Sequence, residues 1–328
     1  MPDDFWRDRP VLVTGGCGFI GSHLVEALLR AGAKVTVLDL YTSTGQLMHL
    51  EGVDHPSLEV VLGDVADPSC TRAAARGADV IFHLAALISI PYSYVAPAHV
   101  VATNVGGMLA VLEGARAEGV RRVVQTSTSE VYGSAQTWPM NENHPLCAQS
   151  PYAATKIAAD QLALSYYRSF GLGVTVVRPF NTYGPRQSLR AIVPSIVAQA
   201  LVSDEIVVGA TTPQRDLTFV ADTVRGFLAM GRADDVEGEV FNIGSGQAIS
   251  VAQLIERVFR VLNVDKPIRH VALRMRPPDS EVTALICDAS KARTRLGFEP
   301  VIGLDDGLNA VAEYLTSHPT VDPSRLRR

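Results

Sequence analysis

The chain has 328 residues, is 47% hydrophobic and carries a net charge of −5, which is enough apolar material for one large or two small domains with a sizeable core. Its basic clusters, Arg121-Arg122 and the arginines between 325 and 328, are short, which argues against a nucleic-acid surface and for a small polar or anionic ligand. Four cysteines without metal-ligand spacing, an acidic and polar start over 1–10, and no apolar run long enough for a bilayer set the expectation of a reducing, cytoplasmic setting with no metal and no membrane partner.

In chain order, Val11-Leu12-Val13 reads as a strand running directly into Thr14-Gly15-Gly16-Cys17-Gly18-Phe19-Ile20-Gly21, with helical apolar spacing over 22–31. The run reads as Gly-x-Gly-x-x-Gly from Gly16 or as Gly-x-x-Gly-x-x-Gly from Gly15. Either way, the missing side chains let a diphosphate approach the amides at the positive end of the helix. A second strand over 34–38 ends at Asp39, whose carboxylate suits the two hydroxyls of an adenosine ribose. It repels a 2′-phosphate, and positions 40–44 offer no Arg or Lys to bind one. The pattern predicts NAD rather than NADP.

A third strand over 58–62 leads to Gly63-Asp64-Val65, a helix covers 68–76, and a fourth strand over 80–84 ends at Ala85-Ala86. Asp64 and Val65 can hold the adenine; Asp64 is equally suited to capping the next helix. Small residues at the carboxyl end of a strand leave room for a ligand, which makes Leu84, Ala85 and Ala86 cofactor candidates. His83 reads as a packed strand residue. A loop carrying Ser89, Ile90 and Pro91 and a long helix over 98–118 follow. A fifth strand from Val123 then delivers 126–130 to the carboxyl edge of a parallel sheet, where such folds bind ligands.

A sixth strand over 174–177 ends in Arg178-Pro179, with Pro179 a further cofactor candidate. Helices over 192–201, 222–230 and 250–261, strands over 217–220 and 240–244, and two short helices after 288 complete the chain, with Ser250 a plausible N-cap. The fold class is α/β, a doubly wound parallel sheet (Rossmann) with a second, smaller substrate-binding domain. The expected division is 1–177 for the NAD-binding domain, with returning segments at about 217–243, and 178–328 mainly for substrate.

The chemistry concentrates between 126 and 156. Thr128-Ser129-Glu130-Val131-Tyr132-Gly133 precedes Ser150-Pro151-Tyr152-Ala153-Ala154-Thr155-Lys156. A tyrosine and a lysine four positions apart on a helix share a face, about one turn apart. An unperturbed tyrosine titrates near ~10, and a neighbouring cation lowers that value, which makes a base able to exchange a proton with a sugar hydroxyl. Pro151 fits the first helical position. A lone Tyr-x-x-x-Lys is ordinarily an amphipathic-helix pair, so context decides its meaning.

That context is the order of three motifs: Thr-Gly-Gly-x-Gly-Phe-Ile-Gly at 14–21, Tyr-x-x-x-Lys at 152–156, and Arg-Pro-Phe-Asn-x-Tyr-Gly-Pro-Arg at 178–186. With them the chain resembles, along nearly its whole length, the extended short-chain dehydrogenase/reductases that act on nucleotide sugars. Within that family, 128–133 is similar to the active-site segment of the 4,6-dehydratases. The Ser89-Ile90-Pro91 loop, Ser150-Pro151-Tyr152, 181–187 and Arg215-Asp216 look most like the branch that dehydrates nucleotide-linked N-acetylglucosamine in nonulosonate pathways. The resemblance implies a catalytic set of Thr128, Ser129, Glu130, Tyr152 and Lys156. It implies cofactor contacts at Gly15, Gly18, Phe19, Ile20, Gly21, Asp39, Asp64, Val65, Leu84, Ala85, Ala86, Tyr152, Lys156 and Pro179. It implies nucleotide-sugar contacts at Ser89, Asn181, Arg186, Arg215 and Arg276. It also implies a homodimer built on the helices 98–118 and 151–169, with Leu109, Leu112, Leu162 and Tyr166 as apolar contributors.

In such enzymes NAD is resident. A hydride leaves sugar C4 as Tyr152 takes the O4 proton, Glu130 removes the acidified C5 proton, water is lost from C6 and the hydride returns there. One position departs from the pattern: the glucose-type dehydratases carry Asp where this chain has Ser129, which leaves Glu130 to serve both proton transfers. A 4-epimerase needs no C5 base, so Glu130 argues against it. A decarboxylase of nucleotide-linked glucuronate shares the Ser-Glu pair, though the Ser89-Ile90-Pro91 loop and Ile157 fit the dehydratases better. A non-catalytic NAD-sensing protein is expected to lose Tyr152, Lys156 or Glu130, and all three are present.

Overall fold

The computed structural model describes residues 4–271 and 282–318. The first six strands are β1 (Pro10–Thr14), β2 (Lys34–Asp39), β3 (Leu58–Leu62), β4 (Val80–His83), β5 (Arg122–Thr126) and β6 (Val174–Pro179). Three more follow: β7 (Asn181–Tyr183), β8 (Ile206–Val208) and β9 (Gln214–Phe219). Then come β10 (Val240–Ile243), β11 (Ala248–Ser250), β12 (Ile268–His270) and β13 (Ala284–Leu285). The large sheet has the order β10-β6-β5-β4-β1-β2-β3, and each of its pairings is parallel. Parallel strands are covered on both faces, so they read as continuous apolar runs such as Val80-Ile81-Phe82 rather than as alternation.

The helices α1 (Phe19–Arg30), α2 (Pro68–Ala75), α3 (Ile90–Val95), α4 (Pro97–Val101), α5 (Gly107–Glu118) and α6 (Pro151–Phe170) come first. Later come α7 (Ile192–Val202), α8 (Val220–Arg232), α9 (Val251–Leu262), α10 (Ser290–Leu296) and α11 (Leu304–Ser317). One sheet face, through Val13, Val37, Phe82, Val124 and Val177, packs on α1 and α8. The opposite face, through Leu12, Ile81, Val123 and Val176, packs on α2, α5 and α6. A third core joins α7, α9 and α11 around Ile196, Ile255 and Leu308. There β9 pairs with β7, β11 and β13, and β8 pairs with β12.

The alternation predicted from sequence is thus realised, with three corrections. The Ser89-Ile90-Pro91 segment is not loop: Ser89 caps α3, its hydroxyl accepting from the Tyr92 amide at 3.3 Å, and Pro91 sits in the first turn where its missing N–H costs nothing. The expected long helix over 98–118 is interrupted by a wide, π-type turn over Ala102–Gly106 between α4 and α5. Of the returning segments, β10 joins the large sheet, whereas 217–219 belongs to the small one. Ser250 caps α9 as expected, in a reciprocal capping box with Gln253. Among the described residues no helix is long and apolar enough to cross a membrane.

Candidate active site

Strand order reverses at β1, which pairs with β2 on one side and β4 on the other, and a crevice opens at the carboxyl ends of such strands. Gly15 follows β1 with φ +71°, and a Cβ there would stand 2.7 Å from the Ala85 nitrogen. A Cβ at Gly21 would stand 2.2 Å from the Gly15 carbonyl oxygen. These approaches bring the β1 turn, the start of α1 at Phe19 and Ile20, and the Leu84-Ala85-Ala86 segment that follows β4 together. At the end of β2, Asp39 accepts from the Cys17 amide at 2.7 Å and the Leu40 amide at 2.8 Å. Helix start, glycine turn and carboxylate form a cradle that fits the diphosphate and ribose of NAD. Asp64 does not cap α2. Asp67 does, accepting from Ser69 and Cys70, while Asp64 holds the Ala66 amide at 2.8 Å and Val65 is buried.

Ser150 caps α6, accepting from Ala153 at 3.1 Å, and so fixes the first turn that carries Tyr152. Tyr152 and Lys156 are both buried on that helix. Facing them is a short 3₁₀ turn, Ser129–Tyr132, whose cap Thr128 accepts the Glu130 amide at 3.2 Å. Thr128 also hydrogen-bonds the Tyr152 phenol, and the Glu130 charge acts on that phenol. Ser129 is buried. Gly133, with φ +64°, ends the turn against Cys147, where a Cβ would lie 2.4 Å from the carbonyl oxygen.

The electrostatics correct one expectation. The phenol of Tyr152 is pushed up, not down: burial is the largest cause, Glu130 adds to it, and only the Thr128 hydrogen bond opposes. Lys156 is lowered to about 8 by burial, with Asp160 pulling the other way. His83, at the end of β4, bonds Thr14 Oγ1 through Nδ1 at 2.7 Å and is pushed down to about 3 by burial and by Lys156. It is a neutral, packed imidazole, as its place in an apolar strand predicts. In the protein by itself the pocket around Tyr152 disfavours the phenolate.

A GDP-mannose 4,6-dehydratase family model matches residues 12–311. The chain belongs to that family. It is 35% identical to a dTDP-glucose 4,6-dehydratase of Streptomyces niveus over 93% of this chain and 92% of that one. Its structure superposes with a TM-score of 0.86 on the DesIV dTDP-glucose 4,6-dehydratase of Streptomyces venezuelae, which was solved with NAD and TYD bound. That protein is 33% identical, with 94% and 97% of the two chains covered. Pal from Bacillus thuringiensis matches with a TM-score of 0.87 at 31% identity, covering 94% and 99%. Enzymes of other reactions match at similar levels. A UDP-glucose 4-epimerase of Mycolicibacterium smegmatis is 34% identical over 92% of this chain and 97% of that one. A UDP-glucuronic acid decarboxylase of Arabidopsis thaliana is 33% identical over 94% and 89%.

In this dehydratase-family chain, of the expected substrate residues Ser89 caps α3, and the others fall in the second half of the sequence. Asn181 opens β7 with its Oδ1 buried and, among the described residues, without a partner, an acceptor that a ligand donor can fill. Arg215 lies in β9 and donates to its neighbour's carbonyl at 2.9 Å. Arg186 reaches back to α1, where it pairs with Glu26 at 2.6 Å, and Pro179 ends β6. Arg276 lies outside the described residues.

Two groups are not legible in the motifs. Asn104, in the wide turn, accepts from the Leu87 amide at 2.8 Å and donates to the Leu87 carbonyl at 3.1 Å and to Thr155 at 3.0 Å. It thereby pins the loop after β4 to the catalytic helix; a poor helix former amid helical spacing is the available signal. Asp160, four residues past Lys156, is the other.

Proposed function

We propose that this chain is an NAD-dependent nucleotide-sugar 4,6-dehydratase, a lyase giving a 4-keto-6-deoxy sugar. The observation that carries the reading is Glu130 held on a capped turn beside the Tyr152 phenol, which puts a C5 base next to the group that works at C4. When bound, NAD supplies a positively charged ring that takes a hydride from C4 and returns it at C6. Tyr152 receives the O4 proton, Lys156 supplies cationic charge beside it, and Thr128 can bond the same oxygen. Once C4 is a ketone the C5 proton is acidic, and Glu130 removes it as general base. Ser129 is a far weaker acid than the aspartate of glucose-type relatives, so Glu130 also returns the proton that lets the C6 hydroxyl leave as water.

The nucleotide end is assigned to Asn181, Arg186, Arg215 and Arg276, with Ser89 near the sugar; arginine forks suit phosphate oxygens. The substrate is a UDP- or GDP-linked N-acetylglucosamine or hexose, and the relatives named above add dTDP to the nucleotides worth testing. Labour is divided between 1–177 for NAD and mainly 178–328 for substrate, in a cytoplasmic homodimer. Two of the four residues expected at that interface, Leu112 and Tyr166, are buried within the chain. Leu109 on α5 and Phe170 on α6 are 44% and 53% exposed and support the same face.

The test is a panel of nucleotide sugars followed by product mass. The proposal expects loss of water, about 18 mass units, with solvent deuterium entering C5 through general-base exchange. Glu130→Gln should lower turnover by ~10²–10⁴-fold while reduced nicotinamide accumulates, because only the later proton transfer is blocked. Tyr152→Phe should give no such signal. Simple inversion at C4, or carbon dioxide released from a uronate, would assign the chain to the epimerases or the decarboxylases instead.

A further inference from the structure

Behind the catalytic pair lies a buried ion pair that the proposed reaction does not itself consume. Asp160 stands one helical turn beyond Lys156 on α6, and both are buried. Its Oδ2 accepts from Ser127 Oγ at 2.7 Å and from Arg178 Nε and Nη2 at 3.2 Å each. Three donors converging on one oxygen suit a carboxylate rather than a carboxylic acid. The other oxygen, Oδ1, is buried and has no hydrogen-bond partner among the described residues. A desolvated carboxylate oxygen without a donor is costly, and helix geometry puts the Lys156 cation on the same face.

Charge counting gives this arrangement a purpose. Lys156 and Arg178 are cations and Asp160 an anion, so the buried cluster holds one uncompensated positive charge, which a phenolate at Tyr152 would balance. Without Asp160, two cations would share a low-dielectric site. The relief open to them is for Lys156 to shed its proton, since a guanidinium does not. A neutral amine cannot steady a phenolate.

We propose that the Arg178–Asp160 pair is a positioning device that keeps Lys156 charged for proton exchange at Tyr152. The inference rests on the reading of Tyr152 and Lys156 as the proton-exchange site. Arg178 is itself fixed from its other edge, donating through Nη1 to Tyr132 at 3.1 Å, while Tyr132 donates to Asn242 at 2.6 Å. The titratable and charged groups around Lys156 are Tyr152 and Asp160 on α6 and His83 on β4, with Glu130 beyond the phenol and Arg178 beyond Asp160. Of these, Asp160 is the one whose charge favours the ammonium form.

Lysine labelled with ¹³C at Cε in the purified holoenzyme reports Lys156 directly, beside Lys34, Lys266 and Lys291, and needs no substrate. Wild-type Lys156 is expected to be charged at neutral pH, with its midpoint at about 8. Asp160→Asn should move that midpoint down by at least about one pH unit, the scale of losing an opposite charge at close range. The other lysines should stay in place, and Asp160→Glu should recover most of the change. An unmoved midpoint in folded Asp160→Asn overturns the proposal. So does a wild-type Lys156 already neutral at pH 7, a result that depends on no variant folding. If no nucleotide sugar reacts, the functional reading falls while the lysine titration still decides this one.

Discussion

Thr128 Oγ1 accepts the backbone N–H of Glu130 at 3.2 Å, and the same side chain hydrogen-bonds the phenol of Tyr152. One hydroxyl therefore fixes the proposed C5 base relative to the group that works at C4. Thr128→Val keeps the shape and removes both bonds. The bond to Thr128 is what pulls the Tyr152 phenol down, so its loss raises the phenol further. The basic form exists above that value, hence the pH–rate profile for C4 oxidation should move to higher pH. At a fixed neutral pH the rate then falls by about tenfold for every pH unit the profile moves. Single-turnover absorbance of the reduced nicotinamide across pH checks this; a profile that keeps its position would count against it.

The glycine turn gives a second, paired expectation. Gly15→Ala forces a non-glycine residue to φ +71° with its Cβ 2.7 Å from the Ala85 nitrogen, which should destabilise the fold by roughly 1–3 kcal/mol. Gly18→Ala meets only the Gly15 carbonyl oxygen at 3.3 Å, so the protein should fold nearly as well yet lose NAD, because the methyl occupies the diphosphate side of the turn. Thermal melts combined with the nucleotide released on denaturation separate the two effects. NADP as the dominant released species would remove the role given to Asp39.

His83 should leave a mark on acid stability. Its folded value is pushed down to about 3 from an ordinary 6.5, burial being the main cause. Between those two values the unfolded chain binds a proton that the folded protein refuses. Stability from this group is therefore present above pH 6.5 and falls as pH drops, by up to about 1.4 kcal/mol per pH unit. Denaturant unfolding of wild type and His83→Gln at several pH values between 7 and 4 tests the difference, with the variant expected to show the shallower slope.

The exposed face formed by Leu109 and Phe170 carries the dimer expectation. Tyr166 on α6 donates to Glu113 on α5 at 2.5 Å, and Arg116 lies over the Phe170 ring at 4.6 Å, so the two helices present one continuous surface. Leu109→Glu should convert a dimer to monomers in light scattering at micromolar concentration while leaving the melting temperature of the monomer unit little changed. A wild-type protein that is monomeric under the same conditions would remove the dimer from the proposal.

Residues disclose in advance what local chemistry encodes. Gly15 to Gly21, Asp39 and the Ser150-capped helix each act through a few neighbouring positions, so spacing alone reveals them. Ser89 escapes a linear reading because a nearby proline is common loop punctuation, although a serine two positions before a proline is also how a short helix begins. Asn104 hides inside an apolar period, since a wide turn leaves that period almost intact. The direction in which the Tyr152 phenol is pushed depends mainly on burial and on Glu130, which only tertiary packing brings to it. Arg178 looks like part of a motif, and its bond to Asp160 joins a strand to a helix that the sequence does not pair.

The seventh strand of the large sheet, β10, is made long after its neighbour β6. During synthesis the ribosome must extend the chain through α7 and α8 before that edge is covered, a delay of several seconds at ordinary elongation rates. Until then β6 presents an open edge, and Tyr132 lacks Asn242, which β10 delivers. A truncation after residue 177 would make that transient state permanent. Grafts intended to give this protein a new sugar specificity should therefore carry β10 with the recipient sheet and swap only the segments on either side of it.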